Sequence, residues 1–356
     1  MNRLLPLLLF IFVFSSCDPF GTQLAEDDVL YYEASTLTPA NPKDTLTLMT
    51  WNIKFGGGRI DFFFDCWGDR VTMTEEEVLT HLEGLARKIR QVDPDVLFLQ
   101  EVDIDSKRSA YVDQVEYLLN HTDLNYAVFA SQWKASYVPS DGIGKINSGN
   151  VTLSKYPLEN AVRIGLPLIQ EQSAVVRYFY LKRNILETEV QVGDRSLRLL
   201  NTHLSAFDQD GTKKKQLDQL VDTLISRDNS TINFVLGGDF NLLPPNTLKV
   251  KDFPDSICEE EFEADDFTAS ITWIEPLFLF HPEFDIEDYQ FDNGPYFTHT
   301  TNHPDRGAFW NRKLDYLFTN GRFIPGSNIT HQDEHTGMNT MMLSDHCPVS
   351  VQFLVE

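Results

Sequence analysis

Six apolar stretches of this chain run into a carboxylate, an amide or an imidazole. Leu46–Ile53 carries Thr50-Trp51-Asn52, and Val96–Leu99 leads into Gln100-Glu101. Leu197–Thr202 ends in Asn201-Thr202-His203-Leu204. Ile232–Leu236 continues as Gly237-Gly238-Asp239-Phe240-Asn241. Leu314-Asp315 opens Tyr316–Thr319, and Ser344-Asp345-His346 precedes Val349–Leu354. Polar and charged groups beside a core are costly unless they find partners. One such residue would be a turn former or a satisfied core histidine. Six from one chain require a shared site in which they satisfy one another and a cation.

The segments between them set the fold class. Thr74-Glu75-Glu76-Glu77 has the spacing of a capping box, and Val78, Leu82, Leu85 and Ile89 follow at helical intervals. Asp93-Pro94 stops that helix. Further helices are expected over Tyr111–Leu119 and Thr212–Ile225, and further strands over Tyr126–Ala130, Asn150–Ser154 and Ile185–Val192. The elements mix without a strict strand–helix–strand rhythm. An α/β sandwich of mixed sheets fits better than a barrel or a doubly wound sheet. The acidic, aromatic stretch from Lys249 to Asn293 reads as a long insertion in the same domain.

The N-terminus reads as an address. Arg3 precedes an apolar run from Leu4 to Phe14, and Ser15-Ser16-Cys17 follows. Eleven residues are too few to span a hydrocarbon core of ~30 Å as a helix, whereas a basic start, a short apolar core and small residues describe a secretory signal. The ending resembles a bacterial lipobox, in which Cys17 becomes the lipidated first residue of the mature protein. Residues 1–17 are therefore expected to be a lipoprotein signal, 18–44 a flexible tether and 45–356 the folded domain, in the cell envelope. Export is compatible with a Cys66–Cys258 disulfide, which the sequence alone does not establish. Acidic residues outnumber basic ones 53 to 29, a formal charge of -24. That charge argues against stable nucleic-acid binding, which needs a basic surface.

Taken in order, Trp51-Asn52, Gln100-Glu101-Val102, Asn201-Thr202-His203-Leu204, Gly238-Asp239-Phe240-Asn241, Leu314-Asp315-Tyr316-Leu317 and Ser344-Asp345-His346 resemble the endonuclease/exonuclease/phosphatase superfamily. It includes deoxyribonuclease I, abasic-site endonucleases, neutral sphingomyelinases and inositol-polyphosphate phosphatases. The resemblance runs from about Leu46 to Phe353. It implies a four-layered sandwich, two mixed β-sheets flanked by helices, and metal-dependent cleavage of a phosphoester.

By this resemblance Asn52 and Glu101 form the metal-site pair and Asp345 faces the same region. Oxygen donors of this kind suit Mg²⁺, with Mn²⁺ or Ca²⁺ as alternatives. His346 is the candidate for proton transfer, with Asp315 fixing its tautomer. Asp239 and Asn241 are read as alternating along a strand, both on one face, where they orient water and contact phosphate. His203 would stabilise the pentacovalent phosphate. Abasic endonucleases carry Asn at that position, and an acid or amide where Lys54 stands here, so both departures point away from abasic-site cleavage. Asn150 reads either as a phosphate donor or as a strand entry. Arg183 and Asn184 read either as holding an anionic head group or as ordinary strand residues.

The loop Ile60–Gly68 contains Phe62-Phe63-Phe64 and Trp67, aromatic residues that suit an apolar–water interface or packing beneath the loop. A membrane anchor, an acidic surface and an aromatic rim together favour a phosphodiesterase for a phospholipid or sphingolipid head group. The alternatives are a secreted deoxyribonuclease I-like nuclease, a phosphatase for soluble sugar or inositol phosphates, and a binding module without catalysis. A monomer is expected.

Overall fold

The computed structural model describes residues 18–355 apart from 67, 207–209, 229–231, 256–264 and 338. Among the described residues the strands form two sheets. The first holds β1 (Val29–Glu33), β2 (Thr45–Asn52), β3 (Val96–Asp103), β4 (Tyr126–Val138), β5 (Gly144–Ser154), β12 (Arg322–Phe323), β13 (Ile329–Thr330) and β14 (Val349–Leu354). Their order is β1-β4-β5-β3-β2-β14-β12, with β13 also pairing β14. The second holds β6 (Leu158–Gly165), β7 (Asn184–Val192), β8 (Arg195–His203), β9 (Phe234–Asp239), β10 (His281–Pro282) and β11 (Asp315–Thr319), ordered β10-β11-β9-β8-β7-β6.

Each sheet contains one parallel pair, β2 with β3 and β8 with β9, and is otherwise antiparallel. A parallel pair needs a crossover. Helix α1 (Glu75–Val92) supplies it in the first sheet, and α4 (Thr212–Asp228) in the second. The capping box at Thr74 and Glu77 is formed. The shorter helices are α2 (Gln114–Asn120), α3 (Ala174–Phe179), α5 (Ile286–Phe291) and α6 (Asp333–Thr336).

Strand alternation sorts the core into layers. Met49, Trp51, Leu97 and Leu99 face Val78, Leu82 and Leu85 of α1. Leu46, Leu48, Val96 and Phe98 point the other way, against Leu186, Leu197, Leu199 and Val235 of the second sheet. The outer face of that sheet packs Leu200, Leu236 and Phe318 against Leu217, Leu220 and Leu224 of α4. Helix, sheet, sheet and helix follow one another, the expected four-layered architecture. At Gly237 a Cβ would lie 2.6 Å from the Phe98 ring, and at Gly238 2.1 Å from the Thr202 carbonyl oxygen. Only glycine admits the sheet contact there.

Two motif amides tie the sheets instead of entering the site. Gln100 Nε2 donates to Asn201 Oδ1 at 2.8 Å, and Asn201 Nδ2 donates to the carbonyls of Leu99 and Val151 at 3.0 and 2.8 Å. Replacing Asn201 by Leu keeps the volume and strands these partners. Orphaned buried groups cost about 1–3 kcal/mol each, so the urea midpoint should fall by at least the equivalent of one such group. An unchanged midpoint would mean that the ties contribute nothing.

The tether expected over 18–44 is corrected. Val29–Glu33 pairs antiparallel with Tyr126–Ala130 of β4, and Ala34 N–H donates to the Asn125 carbonyl at 2.8 Å. Leu30 and Tyr31 are exposed on this edge strand, which is why its sequence shows no buried period. Of the 249–293 insertion, Ile274, Leu277 and Tyr289 join the core on the outer face of the second sheet, and His281–Pro282 forms its edge strand β10. Cys66 is disulfide-bonded; Cys258, the partner considered from the sequence, lies outside the described residues, as does Cys17. Cys347 is free and buried. Among the described residues no helix is long and apolar enough to cross a membrane.

Candidate active site

Both parallel pairs end at the same edge of the sandwich. Asn52 closes β2, His203 closes β8 and Asp239 closes β9, while Glu101 lies near the end of β3. The C-terminal ends of parallel strands are where side chains from separate crossovers converge. Glu101 sits at a register shift between Leu99 and Val102 and adopts φ +57°. This left-handed backbone is uncommon for a non-glycine residue. Glu101 lines a cleft of about 810 Å³ together with His203, Asp239, Asn241, Asp345 and His346.

Asp239 is the centre of the arrangement. Its Oδ2 accepts from Asn52 Nδ2 at 3.1 Å, and it lies 3.3 Å from His203 Nε2 and 3.5 Å from His346 Nε2. Asn52 Nδ2 also donates to Glu101 Oε1 at 3.1 Å. On its other ring nitrogen, His346 Nδ1 meets Asp315 Oδ2 at 2.8 Å. The Trp51 indole N–H holds the His346 carbonyl at 2.8 Å. Asp239, Asp315 and His346 thus form a buried group of metal-ligating type, with ligand atoms within 4.8 Å of one another.

Burial by itself would hold the His346 imidazole low, but the Asp315 and Asp239 carboxylates overrule it and raise it to about 10. Burial pushes Asp239 up to about 7, with His346 opposing and Asp315 reinforcing. The two shifts compete for one proton. We place it on His346, because Asp315 hydrogen-bonds that ring directly and leaves Asp239 as the carboxylate. His203 is held well below the usual imidazole range by burial and then by the Arg183 and His346 charges. It is neutral, and its Nδ1 has no partner, 4.0 Å from Glu101 Oε1.

Three further residues line the cleft: Lys54, which the sequence singled out only as a departure from abasic endonucleases, and Asp65 and His299, which carry no distinguishing signal in the sequence. Lys54 has φ +45°, and its Nζ lies 2.9 Å from Asp65 Oδ2 and 3.8 Å from Asp345 Oδ2. Burial opposes its charge, but Asp345 and Asp65 raise its pKa. His299 packs against His346 at a tilt of 51° with ring centroids 4.4 Å apart, and its buried Nδ1 has no hydrogen-bond partner. One His in Phe297-Thr298-His299-Thr300 looks no different from a core histidine.

Several expected placements change. Asn241 lies beyond β9 with φ +50°, not in strand alternation with Asp239. Its backbone N–H donates to Asp239 Oδ1 at 2.9 Å and its Nδ2 to the Leu204 carbonyl at 3.1 Å, so it steadies Asp239 while still lining the cleft. The Asn52 carbonyl oxygen Oδ1 accepts the Lys54 N–H at 3.0 Å. Asn52 therefore presents its NH₂ to two carboxylates and leaves one lone pair of its Oδ1 for a cation. Asn150 and Asn184 are not brought to the cleft. Asn184 Nδ2 donates to the Ser131 carbonyl at 3.0 Å and Asn150 Nδ2 approaches Asn184 at 3.4 Å, so they join the sheets as Asn201 does. Arg183 does line the cleft, buried, with Nη1 on Gln132 Oε1 at 2.8 Å. Of the aromatic loop, Phe62 is core, while Phe63 and Phe64 are exposed and line the cleft; Trp67 lies outside the described residues.

A hard divalent cation fits this donor set. Glu101, Asp239 and Asp345 bring carboxylate oxygen to the same cleft, and His203 Nδ1 and Asp315 Oδ1, which have no hydrogen-bond partner, mark positions where polar atoms await a ligand.

A family model described as "Endonuclease/Exonuclease/phosphatase family" matches residues 49–346. The fold is similar to that of an endonuclease/exonuclease/phosphatase from Beutenbergia cavernae, with a TM-score of 0.54 and 21% identity over 88% of this chain and 72% of the other. It is similar to a family protein from Leptotrichia buccalis, at 0.53 and 16% over 86% and 99%. The human Nocturnin catalytic domain gives 0.51 and 17% over 94% and 100%. No curated protein matches the sequence.

Proposed function

Because the chain belongs to the endonuclease/exonuclease/phosphatase family, whose members are phosphoester hydrolases, we propose that it is a divalent-metal-dependent phosphodiesterase acting on the head-group ester of a phospholipid or sphingolipid. One observation carries the lipid reading. The cleft whose floor holds Asp239, His203 and His346 has apolar walls, with Phe55, Phe63 and Phe64 from one sheet's loops and Leu168, Tyr180 and Leu181 from the other's. A soluble sugar phosphate would leave those walls unused.

The roles follow from the proton placement. Asp239, the carboxylate raised by burial, accepts the proton of the attacking water. His346, held as imidazolium by Asp315, donates toward the phosphoryl group and its leaving oxygen. Neutral His203 and the buried Arg183 guanidinium add hydrogen bonds to the charge that develops on phosphorus-bound oxygen. Glu101, Asp239 and Asp345 would hold the divalent ion, which neutralises phosphoryl charge as a Lewis acid. Mg²⁺ is the ion this oxygen set favours, with Mn²⁺ or Ca²⁺ as substitutes.

The test is a substrate panel of phosphatidylcholine and sphingomyelin vesicles, plasmid DNA, inositol phosphates and sugar phosphates, each with Mg²⁺ and with a chelator. Release of water-soluble phosphorus from vesicles, lost with the chelator, is expected. Plasmid nicking without lipid turnover would replace this reading with the nuclease.

A further inference from the structure

Asp18 and Phe20, which follow Cys17 in the sequence, pack against α3, the helix that leads into the cleft-lining Tyr180 and Leu181. The Asp18 carboxylate accepts a hydrogen bond from the Tyr178 hydroxyl. The Phe20 N–H donates to the same hydroxyl oxygen at 3.4 Å. The Phe20 ring meets Phe179 edge-on at 5.1 Å, and its carbonyl accepts from the Ser136 N–H at 2.8 Å. Trp133 Nε1, from β4, donates to the Phe179 carbonyl at 2.6 Å. The segment behind Cys17 is therefore clamped to α3 and to β4, with no free linker between.

Helix α3 is itself unusual. It buries none of its residues, and Val175 and Val176 are 68% and 47% exposed. Tyr180 and Leu181, which follow it directly, line the cleft, as do the exposed Phe63 and Phe64 from the loop after β2. Phe64 rests on the core ring of Phe62, but no core packing accounts for Val175 and Val176, exposed on the helix that leads into the cleft wall. With a net charge of -24, long-range attraction to an anionic surface is not available either. Adhesion to a bilayer would rest on acyl chains and apolar side chains.

We infer that an acylated Cys17 and the apolar rim formed by α3 and Phe63-Phe64 dock the mouth of the cleft onto the bilayer that carries the protein. The active site then faces its own membrane and draws its substrate from it. This rests on Cys17 being lipidated and on the lipid-ester reading of the cleft, and the experiment separates the three.

Full-length protein, acylated in its host, is reconstituted in phosphatidylcholine vesicles. A bimane fluorophore is placed singly at Val176→Cys, Phe63→Cys or Asp194→Cys, the last in the β7–β8 turn at the far end of the strands that lead to the site. Phosphatidylcholine with a doxyl-labelled chain should quench positions 176 and 63 and leave 194 bright. Val175→Asp with Val176→Asp should slow hydrolysis of vesicle lipid about tenfold, a fraction of the transfer energy of two valines, with turnover of a soluble nitrophenyl diester unchanged. Quenching nowhere, or at 194 alone, in protein whose N-terminal peptide carries the acyl mass would overturn the docking and leave the anchor standing. An N-terminal peptide without acyl mass would remove anchor and docking together. Quenching at 176 and 63 without lipid turnover in any variant would uphold the docking and remove the lipid substrate.

Discussion

His346→Ala should lower turnover of bis(p-nitrophenyl) phosphate by about 10²–10⁴-fold, the range general acid–base groups contribute. The ring is held at both nitrogens, by Asp315 at 2.8 Å and toward Asp239 at 3.5 Å. Its removal takes away the proton donor and leaves the Asp315 carboxylate buried without its partner. The second effect is a stability cost of about 1–3 kcal/mol, so the alanine variant also melts lower. His346→Gln separates the two. Glutamine can donate to Asp315 and restore the melting temperature, but it cannot carry an ionisable proton and should remain as inactive as alanine. Asp315→Asn should fall between, since it keeps a hydrogen bond to Nδ1 but removes the charge that keeps the imidazole protonated. A His346→Gln enzyme with more than about a tenth of wild-type turnover would contradict proton donation by this residue.

The constellation was legible in sequence because each member sits at or near one end of an apolar strand, where a polar side chain is costly unless it meets a partner or a ligand. Asp239, His203, Asp315, His346 and Glu101 do converge. The layered fold was legible because strand period and capping chemistry are local. What was not legible is which polar strand-end residue faces the site and which faces the other sheet. Gln100 and Glu101 are neighbours in one motif, yet Gln100 bridges the sheets while the register shift and the φ of +57° turn Glu101 into the cleft. The same ambiguity left Asn150 and Asn184 open between the site and the strands. Asn52 reaches the expected spot, but only the contacts of its amide, Nδ2 on the two carboxylates and Oδ1 on the Lys54 N–H, show which side meets them. The β1 strand was missed because an edge strand with Leu30 and Tyr31 in solvent carries no buried period.

Glu101→Gln should reverse the effect of a divalent ion on stability. In wild-type protein Glu101 Oε1 and Asp239 Oδ2 share a single donor, Asn52 Nδ2, at 3.1 Å each. Two carboxylates gathered on one amide repel, and in chelator only the His346 and Arg183 charges oppose that repulsion. A cation bound there stabilises the folded state by mass action, about 2.7 kcal/mol at a hundredfold excess over its Kd. Wild-type protein should therefore gain several degrees in melting temperature on titration with Mg²⁺ and lose them in EDTA. Glutamine keeps an oxygen to accept from Asn52 but removes one of the two charges. In EDTA this variant should melt at or above the wild type, and Mg²⁺ should leave it nearly unmoved. Its turnover should fall at least about 10²-fold, since Lewis-acid stabilisation is worth several kcal/mol and each 1.36 kcal/mol is a factor of ten. This combination, a variant more stable without metal and inactive with it, is the signature of a carboxylate kept for an ion and not for the fold. A Glu101→Gln protein that is destabilised in EDTA, or stabilised by Mg²⁺ as strongly as the wild type, would move the ion away from Glu101 and toward the Asp239, Asp315 and His346 group.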